Sequence, residues 1–579
     1  MFNTKKTSLY AEKSKASVQP DVLAKDANIF EQEMYAQQHT TYSENGAMKL
    51  ITTGNPLVDD FGRLGMYRAP RGVNRTFETM ERLYAVDPLL AVKEMAYLRL
   101  ITRDIKYQTE TFKAQRGQGL RSEFLSRLMW LVIHHKATFQ KNLLLFISIG
   151  SWQDFFDLLE LDLSYIHNGR NHVLDWNWML AFLANYLQDS EQCNLIKKYL
   201  PQIKNAKRCT TLHSQCTNYI AKKIANYLFE GEKDRIYAQY RHLKASGTAH
   251  QWQQAISRKD FANINFNAIA GRALQKLTNS KFLENQGLEK KFEKWMEAQP
   301  IAKFTGYPYE LFKNIATGYC STWNCKTINL KNYQKMAINK QFMSLIETAK
   351  QNMNRDSKFI CAIDTSGSMT EDATGTGISA AVVAKSMAVY FSYLLEGKFA
   401  NTFLEFEDRC AIHSFKGSTP LEKFQTHCGS NWGSTNFLSV ADLFCNLKNK
   451  GYKEEDFPTG VICVSDGEFG PSNRYYYGES NPEASNFNMF LQKLRNAGFS
   501  EEFVSNFKLV LWDVPRGQSP KFEALANREN FFYMSGFDPA GIAFLTGKEM
   551  HDKTLAAPKT AEELFYVAMD QEILNRIEL

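Results

Sequence analysis

Phe359-Ile-Cys-Ala-Ile-Asp364-Thr-Ser-Gly-Ser368 reads as a short buried strand that delivers one carboxylate and two hydroxyls into a loop. A helical run follows, from about 376 to 395. In an open parallel sheet, the loop at the carboxyl end of a strand is where ligands are held. A carboxylate with two hydroxyls suits a hard cation that keeps some of its waters, as Mg²⁺ does. Two later segments supply further oxygen donors. Gly433-Ser-Thr435-Asn-Phe opens a helix after a Gly/Ser/Asn loop, and Val461-Ile-Cys-Val-Ser-Asp466-Gly sets another Asp at the end of another strand. Asp-x-Ser-x-Ser alone is commonly just a turn. Thr435 and Asp466, in that order and each behind an apolar strand or loop, favour a cation site. A nucleophilic role for Ser366 is disfavoured. There is no Gly-x-Ser-x-Gly elbow, and His413 and His427 have no neighbours that mark a general base.

Asp364, Ser366, Ser368, Thr435 and Asp466 together resemble the metal-ion-dependent adhesion site of von Willebrand factor A domains, with all five positions present in order. The resemblance implies Mg²⁺ (or Mn²⁺) as cofactor. It also implies a protein partner whose Asp or Glu completes the coordination sphere.

Around this motif, strand-like runs at 359–363, 402–406, 411–415, 461–464, 507–512 and 531–534 alternate with helical ones at 377–395, 437–449, 484–496, 539–545 and 561–575. That alternation predicts a doubly wound α/β domain over 356–579. Glu468 and Asp513 near the site edge could suggest hydrolysis, but solvated loop carboxylates are the commoner case.

Before residue 350 the rhythm is helical. Runs at 75–85, 87–102, 120–135, 137–149, 151–159, 173–187, 213–229, 266–278, 283–299 and 333–352 carry apolar residues at three- and four-residue spacings. Pro88 suits a first turn, and Ser151-Trp-Gln-Asp154 places an N-cap with an acid behind it. Short turns between such helices suggest a HEAT-like solenoid over 46–350, without a crisp repeat. Residues 1–45 are polar and weakly periodic, and read as a flexible arm.

At 579 residues the chain has room for roughly two to four domains. Leu143-Leu-Leu-Phe-Ile-Ser-Ile149 is far too short to span a bilayer, and the first residues lack the apolar core of a signal peptide. The ten cysteines form no Cys-x-x-Cys pair. Cys320 and Cys325, with no histidine close by, make a poor zinc site, while Cys361 and Cys463 sit in apolar strands. Reduced thiols and a cytoplasmic, monomeric protein without membrane contact are the expectation. An enzyme is the least favoured of three readings, since the helical half offers no phosphate-binding glycine loop, no His-Glu-x-x-His and no paired acidic motif.

The net charge of +7 hides a division. From Asp356 onward 20 Lys and Arg stand against 30 Asp and Glu, a net of −10; the earlier part carries 49 against 32, a net of +17. Such asymmetry suggests that the helical half meets a polyanion. Lys197, Lys198, Lys204, Lys207 and Arg208 form the densest basic stretch, with Lys222 and Lys223 on the next helix. Arg235, Arg241, Lys244, Arg258 and Lys259 lie beyond, interleaved with Tyr237, Tyr240, His242 and Trp252, which could stack on unpaired bases. A solvated helix face competes with this reading for the lysines, as core packing does for Tyr237 and Trp252.

A helical solenoid followed by an A domain with this cation site resembles the Ro autoantigen (TROVE) family over nearly the whole chain. Residues 45–61 look like the opening of its helical domain. Glu44-Asn-Gly46, Thr53-Gly-Asn-Pro56, Leu200-Pro201, Ala221-Lys-Lys-Ile224, Trp512-Asp513 and Tyr533-Met-Ser-Gly-Phe537 bring it closer to an uncharacterised branch of plants, fungi and viruses. The resemblance implies an RNA-binding protein in which helical repeats close into a basic ring and the A domain joins the ring's ends. Single-stranded ends of misfolded RNA would thread the hole and structured small RNA would lie outside. Local spacing alone does not dictate that the ends meet. The competing expectation is a protein-interaction scaffold that uses the metal site without an RNA role.

Overall fold

The structure is a computed structural model. It describes residues 40–42, 48–50 and 54–579, except 65–66, 68–72, 102, 113–116, 169–170, 189, 248–251, 253–254, 257, 314, 316–329, 353–357, 371–377, 427–434, 467–485, 515–529, 537–541 and 543–559. The arm before residue 40 lies outside the described residues, as do Cys320, Cys325, His427, Glu468 and, apart from Ile542, the helix expected over 539–545.

Two small antiparallel hairpins precede the main sheet. They pair β1 (Thr40–Tyr42) with β2 (Met48–Leu50), and β3 (Ile105–Tyr107) with β4 (Glu110–Phe112). Three residues are too few to show alternation, so neither was expected. The main sheet contains β5 (Phe359–Asp364), β6 (Thr402–Phe406), β7 (Cys410–Ser414), β8 (Gly460–Ser465), β9 (Lys508–Asp513) and β10 (Phe531–Ser535). Each falls within one residue of its expected bounds.

The strand order is β10-β9-β8-β5-β6-β7, parallel throughout except for the antiparallel edge strand β7. The chain therefore winds outward from β5 through β6 and β7, then restarts on the other side with β8. The switch point lies between β5 and β8, and the crevice outside their carboxyl ends is the ligand position of such a sheet. Helices cover both faces, which is why β5, β6 and β8 are buried at every position and read as apolar runs. On one face the helix Ala380–Ser392 packs with Pro308–Phe312 and Asn332–Asn352, the last two from the helical half. On the other lie Leu438–Asn449, Asn486–Asn496 and Glu501–Asn506.

The N-terminal part is mostly helical from Val73–Val86 to Lys233–Ser246, and most of its helices pack on a neighbour in sequence, while Ser190–Tyr199 and Leu212–Leu228 both pack back on Trp152–His167. Ser151 and Asp154 form the expected capping box, but their helix runs on to His167. The single helix expected over 283–299 is broken into Phe282–Asn285 and Glu289–Ala298 at Gly287, whose φ of +64° is a left-handed conformation. Ser190–Tyr199 and Lys233–Ser246 were not expected as helices. The latter buries only Ile236, Tyr237 and Tyr240, a stripe too narrow to stand out from its charges.

Both ends of the helical part seat on the sheet domain. Near its start, the helix Pro56–Arg63 packs on β10, and Ser535 Oγ donates to the Gly62 carbonyl. Near its end, Phe312 stacks on Phe424 with ring centroids 4.1 Å apart, and Asn339 Oδ1 accepts from Leu421 N at 2.9 Å. The C-terminal segment then leaves the sheet and returns to the helices. Phe565, Ala568, Met569, Ile573, Leu574 and Ile577 are buried in the same core as Leu57, Met95 and Leu98. Asn142 clasps the chain end, donating to Glu578 O at 2.5 Å and accepting from Glu578 N at 3.0 Å. Ile573 is fully buried, so Ile573→Ala should lower stability by about 2–4 kcal/mol in a denaturant titration. A loss under about 0.5 kcal/mol, the range of surface substitutions, would show that this segment does not close on the helices.

Candidate cation site and basic surface

Asp364 ends β5 at the switch point and is fully buried. Its Oδ1 accepts from Ser366 N at 2.9 Å and its Oδ2 from Ser465 Oγ at 2.6 Å, so the carboxylate is aimed before any ion arrives. Ser366 Oγ and Ser368 Oγ lie 3.0 Å apart in the turn that follows. Asp466, the residue after β8, is fully buried and acts electrostatically on Asp364. Thr435 is 2% exposed. It is positioned through Asn436, whose N donates to Glu407 O at 2.8 Å and whose Nδ2 donates to Asp408 O at 3.2 Å. That turn directly follows Phe406, the register partner of Asp364. All five expected residues are thus on the carboxyl edge of adjacent strands or in loops tied to it. Among the described residues no three His, Cys, Asp or Glu side chains form a metal cluster. The donor set here is two carboxylates and three hydroxyls, all hard oxygens.

Two buried carboxylates so placed oppose each other's charge. Burial, and next the Asp466 charge, push the Asp364 carboxyl up to about 7. A divalent cation between them would offset both costs, so the residues fit Mg²⁺. Because the folded pKa lies above the ordinary 3.8, the native state binds this proton more tightly than the unfolded chain. Without cation, stability should therefore fall as pH rises from about 4 to 7, by up to roughly 4 kcal/mol. Thermal unfolding in chelator, compared with Asp364→Asn, isolates this contribution; parallel pH profiles would exclude it. Cation affinity should weaken about tenfold per pH unit below about 7, since the proton must leave first.

Asp513 corrects an expectation. It is not a solvated loop carboxylate but the buried last residue of β9, and it accepts from the Tyr533 hydroxyl. Register places Asp364, Ser465, Asp513 and Ser535 in one row across the sheet edge. Loop and strand-end carboxylates look alike in sequence, and only the strand pairing separates them.

The basic stretch divides by exposure. Lys198, Lys207, Arg208, Lys223, Arg235, Arg241, Arg258 and Lys259 are exposed, while Lys197, Lys204 and Lys222 are half-buried. Lys244 departs from expectation: its ammonium donates to the Leu200 carbonyl, and burial lowers its pKa. Tyr240 is fully buried with its hydroxyl on Pro201 O at 2.7 Å, and Tyr237 is 9% exposed, so both belong to the core. Trp252 packs partly buried against the core around Phe266, and His242 is exposed. Two aromatic residues passed over in the sequence are outside instead: Tyr219 at 42% and Tyr227 at 45% exposure, flanking Lys223 on the helix Leu212–Leu228. Their spacing from the buried Ile220, Ile224 and Ala225 was the available signal.

A family model described as "Domain of unknown function (DUF7788)" matches residues 358–573. No curated protein matches the sequence. Among solved structures, that of the RO (RSR) protein of Deinococcus radiodurans aligns with 90% of this chain and 100% of its own. The identity is 12% and the TM-score 0.42.

Proposed function

We propose that this chain is a non-catalytic RNA-binding protein that holds structured or misfolded small RNA through its basic helical half. In this reading the helical half is a HEAT-type solenoid of the Ro kind, closed by the sheet domain on which both its ends seat. The sheet domain is a von Willebrand factor A-type domain that binds Mg²⁺ (or Mn²⁺) through Asp364, Ser366, Ser368, Thr435 and Asp466. An acidic side chain of a protein partner would complete the ion's sphere.

The observation that carries the RNA reading is the run 192–229, which holds seven Lys and Arg and no acid. Most of these charges are solvent-facing in the structure, with Tyr219 and Tyr227 exposed among them. Lysine and arginine without acidic neighbours neutralise phosphates, and exposed tyrosines accept bases by stacking. A non-catalytic role is supported by the hydroxyl contacts: Ser366 is engaged by Ser368, while His413 lies on the outer strand β7 against Glu405 at 3.0 Å. No helix among the described residues is long and apolar enough to cross a membrane.

The test is equilibrium binding of the full-length protein to a labelled RNA hairpin with a single-stranded tail, across a salt series. Binding that weakens steeply with salt is expected. Failure to bind at low salt would overturn the RNA role and favour the reading as a protein-interaction scaffold.

A further inference from the structure

Beneath the basic surface, one buried acid organises an aromatic group. Asp162, fully buried in the helix Trp152–His167, accepts from Trp176 Nε1 at 2.7 Å, Val173 N at 2.8 Å and Leu174 N at 3.2 Å, and pairs with His172 Nδ1 at 2.7 Å. Both rings are thereby held in place by a carboxylate that is not itself accessible. Trp176 meets Tyr219 edge to face, with centroids 6.1 Å apart at 81°, and His172 meets Trp176 at 5.9 Å and 70°. The group is open to solvent: Tyr219 is 42% exposed, the His172 side chain 47%, and Trp176 is half-buried.

Positive charge borders it. Lys223 Nζ lies 5.8 Å from the Tyr219 ring centroid. Asn218 Oδ1 accepts from Lys204 N at 2.9 Å, which ties the loop bearing Lys204, Lys207 and Arg208 to the helix of Tyr219. A cationic ligand would be repelled by this border. An acidic peptide would use the lysines but gain little from three oriented rings. An unpaired base attached to phosphates uses both.

Resting on the RNA reading above, we propose that His172, Trp176 and Tyr219 form a pre-organised platform for an unpaired base of single-stranded RNA, with Lys223 meeting the adjoining phosphate. Rings fixed in advance lose little freedom on binding, and base stacking tolerates any sequence.

The experiment compares two fluorescent probes of equal length and charge, oligouridine and an abasic ribose-phosphate strand, on full-length protein. Wild type should bind the oligouridine about tenfold or more tightly than the abasic strand, the scale of one to two stacked bases. Tyr219→Leu, at an exposed position, should bring that ratio near one while leaving affinity for the abasic strand unchanged. Trp176→Leu should also lower the ratio, but it takes a hydrogen-bond donor from the buried Asp162 and so should lower the melting temperature as well, which makes Tyr219→Leu the deciding variant. A Tyr219→Leu protein that keeps the wild-type ratio would overturn the platform and leave the RNA reading standing. A wild type with equal affinity for both strands would do likewise. A wild type that binds neither would overturn the RNA reading, and the platform with it.

Discussion

Asp364→Asn should abolish Mg²⁺ binding, with affinity reduced by at least about 100-fold, beyond the 10–100-fold typical of losing an outer-shell partner. Asparagine keeps an acceptor for Ser366 N, and its amide N–H can donate to Ser465 Oγ where the second carboxylate oxygen accepted, but it removes the charge that a hard cation requires. Alanine is the poorer variant, because it would leave both donors buried without an acceptor. Asp364 is fully buried, so truncating it to alanine would disturb the fold as well as the site. Removing one of two opposed carboxylates should also raise the melting temperature of the cation-free protein above pH 7. Calorimetric titration with Mg²⁺ and a thermal scan in chelator read both effects. Unchanged Mg²⁺ affinity would remove the site assignment, and a destabilised Asp364→Asn protein would make Asp364 a structural acid.

Replacing Lys204, Lys207, Arg208, Lys222 and Lys223 together by glutamine should lower affinity for tailed RNA on the order of 10³-fold at 50 mM salt. The slope of log affinity against log salt should become shallower by about 3 to 4, as five phosphate contacts on a single strand require. The melting temperature should hardly move, since these side chains are exposed or half-exposed and such charges contribute little to folding. Loss should be larger for RNA with a single-stranded tail than for a blunt duplex, because only the tail reaches Tyr219 with unpaired bases. Equal losses on both would favour a general electrostatic surface. An unchanged slope would move the phosphate contacts to another face. The whole chain is the right material, because cutting at 350 would strip Phe565, Met569 and Ile573 from the helical core.

The central strands were legible in sequence because burial on both faces makes them near-continuous apolar runs; β5 and β8 are buried end to end, whereas the edge strand β7 has no fully buried position. Asp364 and Asp466 could be singled out for the same reason, as the first carboxylates after such runs. Helices with a wide apolar stripe were equally legible, whereas Ser190–Tyr199 and Lys233–Ser246 were not, their few core contacts being outnumbered by charges. The charge division between the halves is a property of composition alone.

What only tertiary structure decided is who faces whom. Periodicity shows that Tyr237 and Tyr240 share a helix with Arg235 and Arg241, but not that Tyr240 turns inward to Pro201. Nor does it show that Lys244 spends its charge on the Leu200 carbonyl while Tyr219 stands outside over a ring held by Asp162. The return of residues 561–577 to a core built from the first helices joins positions some 500 apart in the chain, and no local pattern encodes such a contact. Strand identity here follows from unbroken buried runs, and helix identity from burial repeated every third or fourth residue. The partners of a buried face are set by where distant segments pack, and that is absent from any window of the sequence.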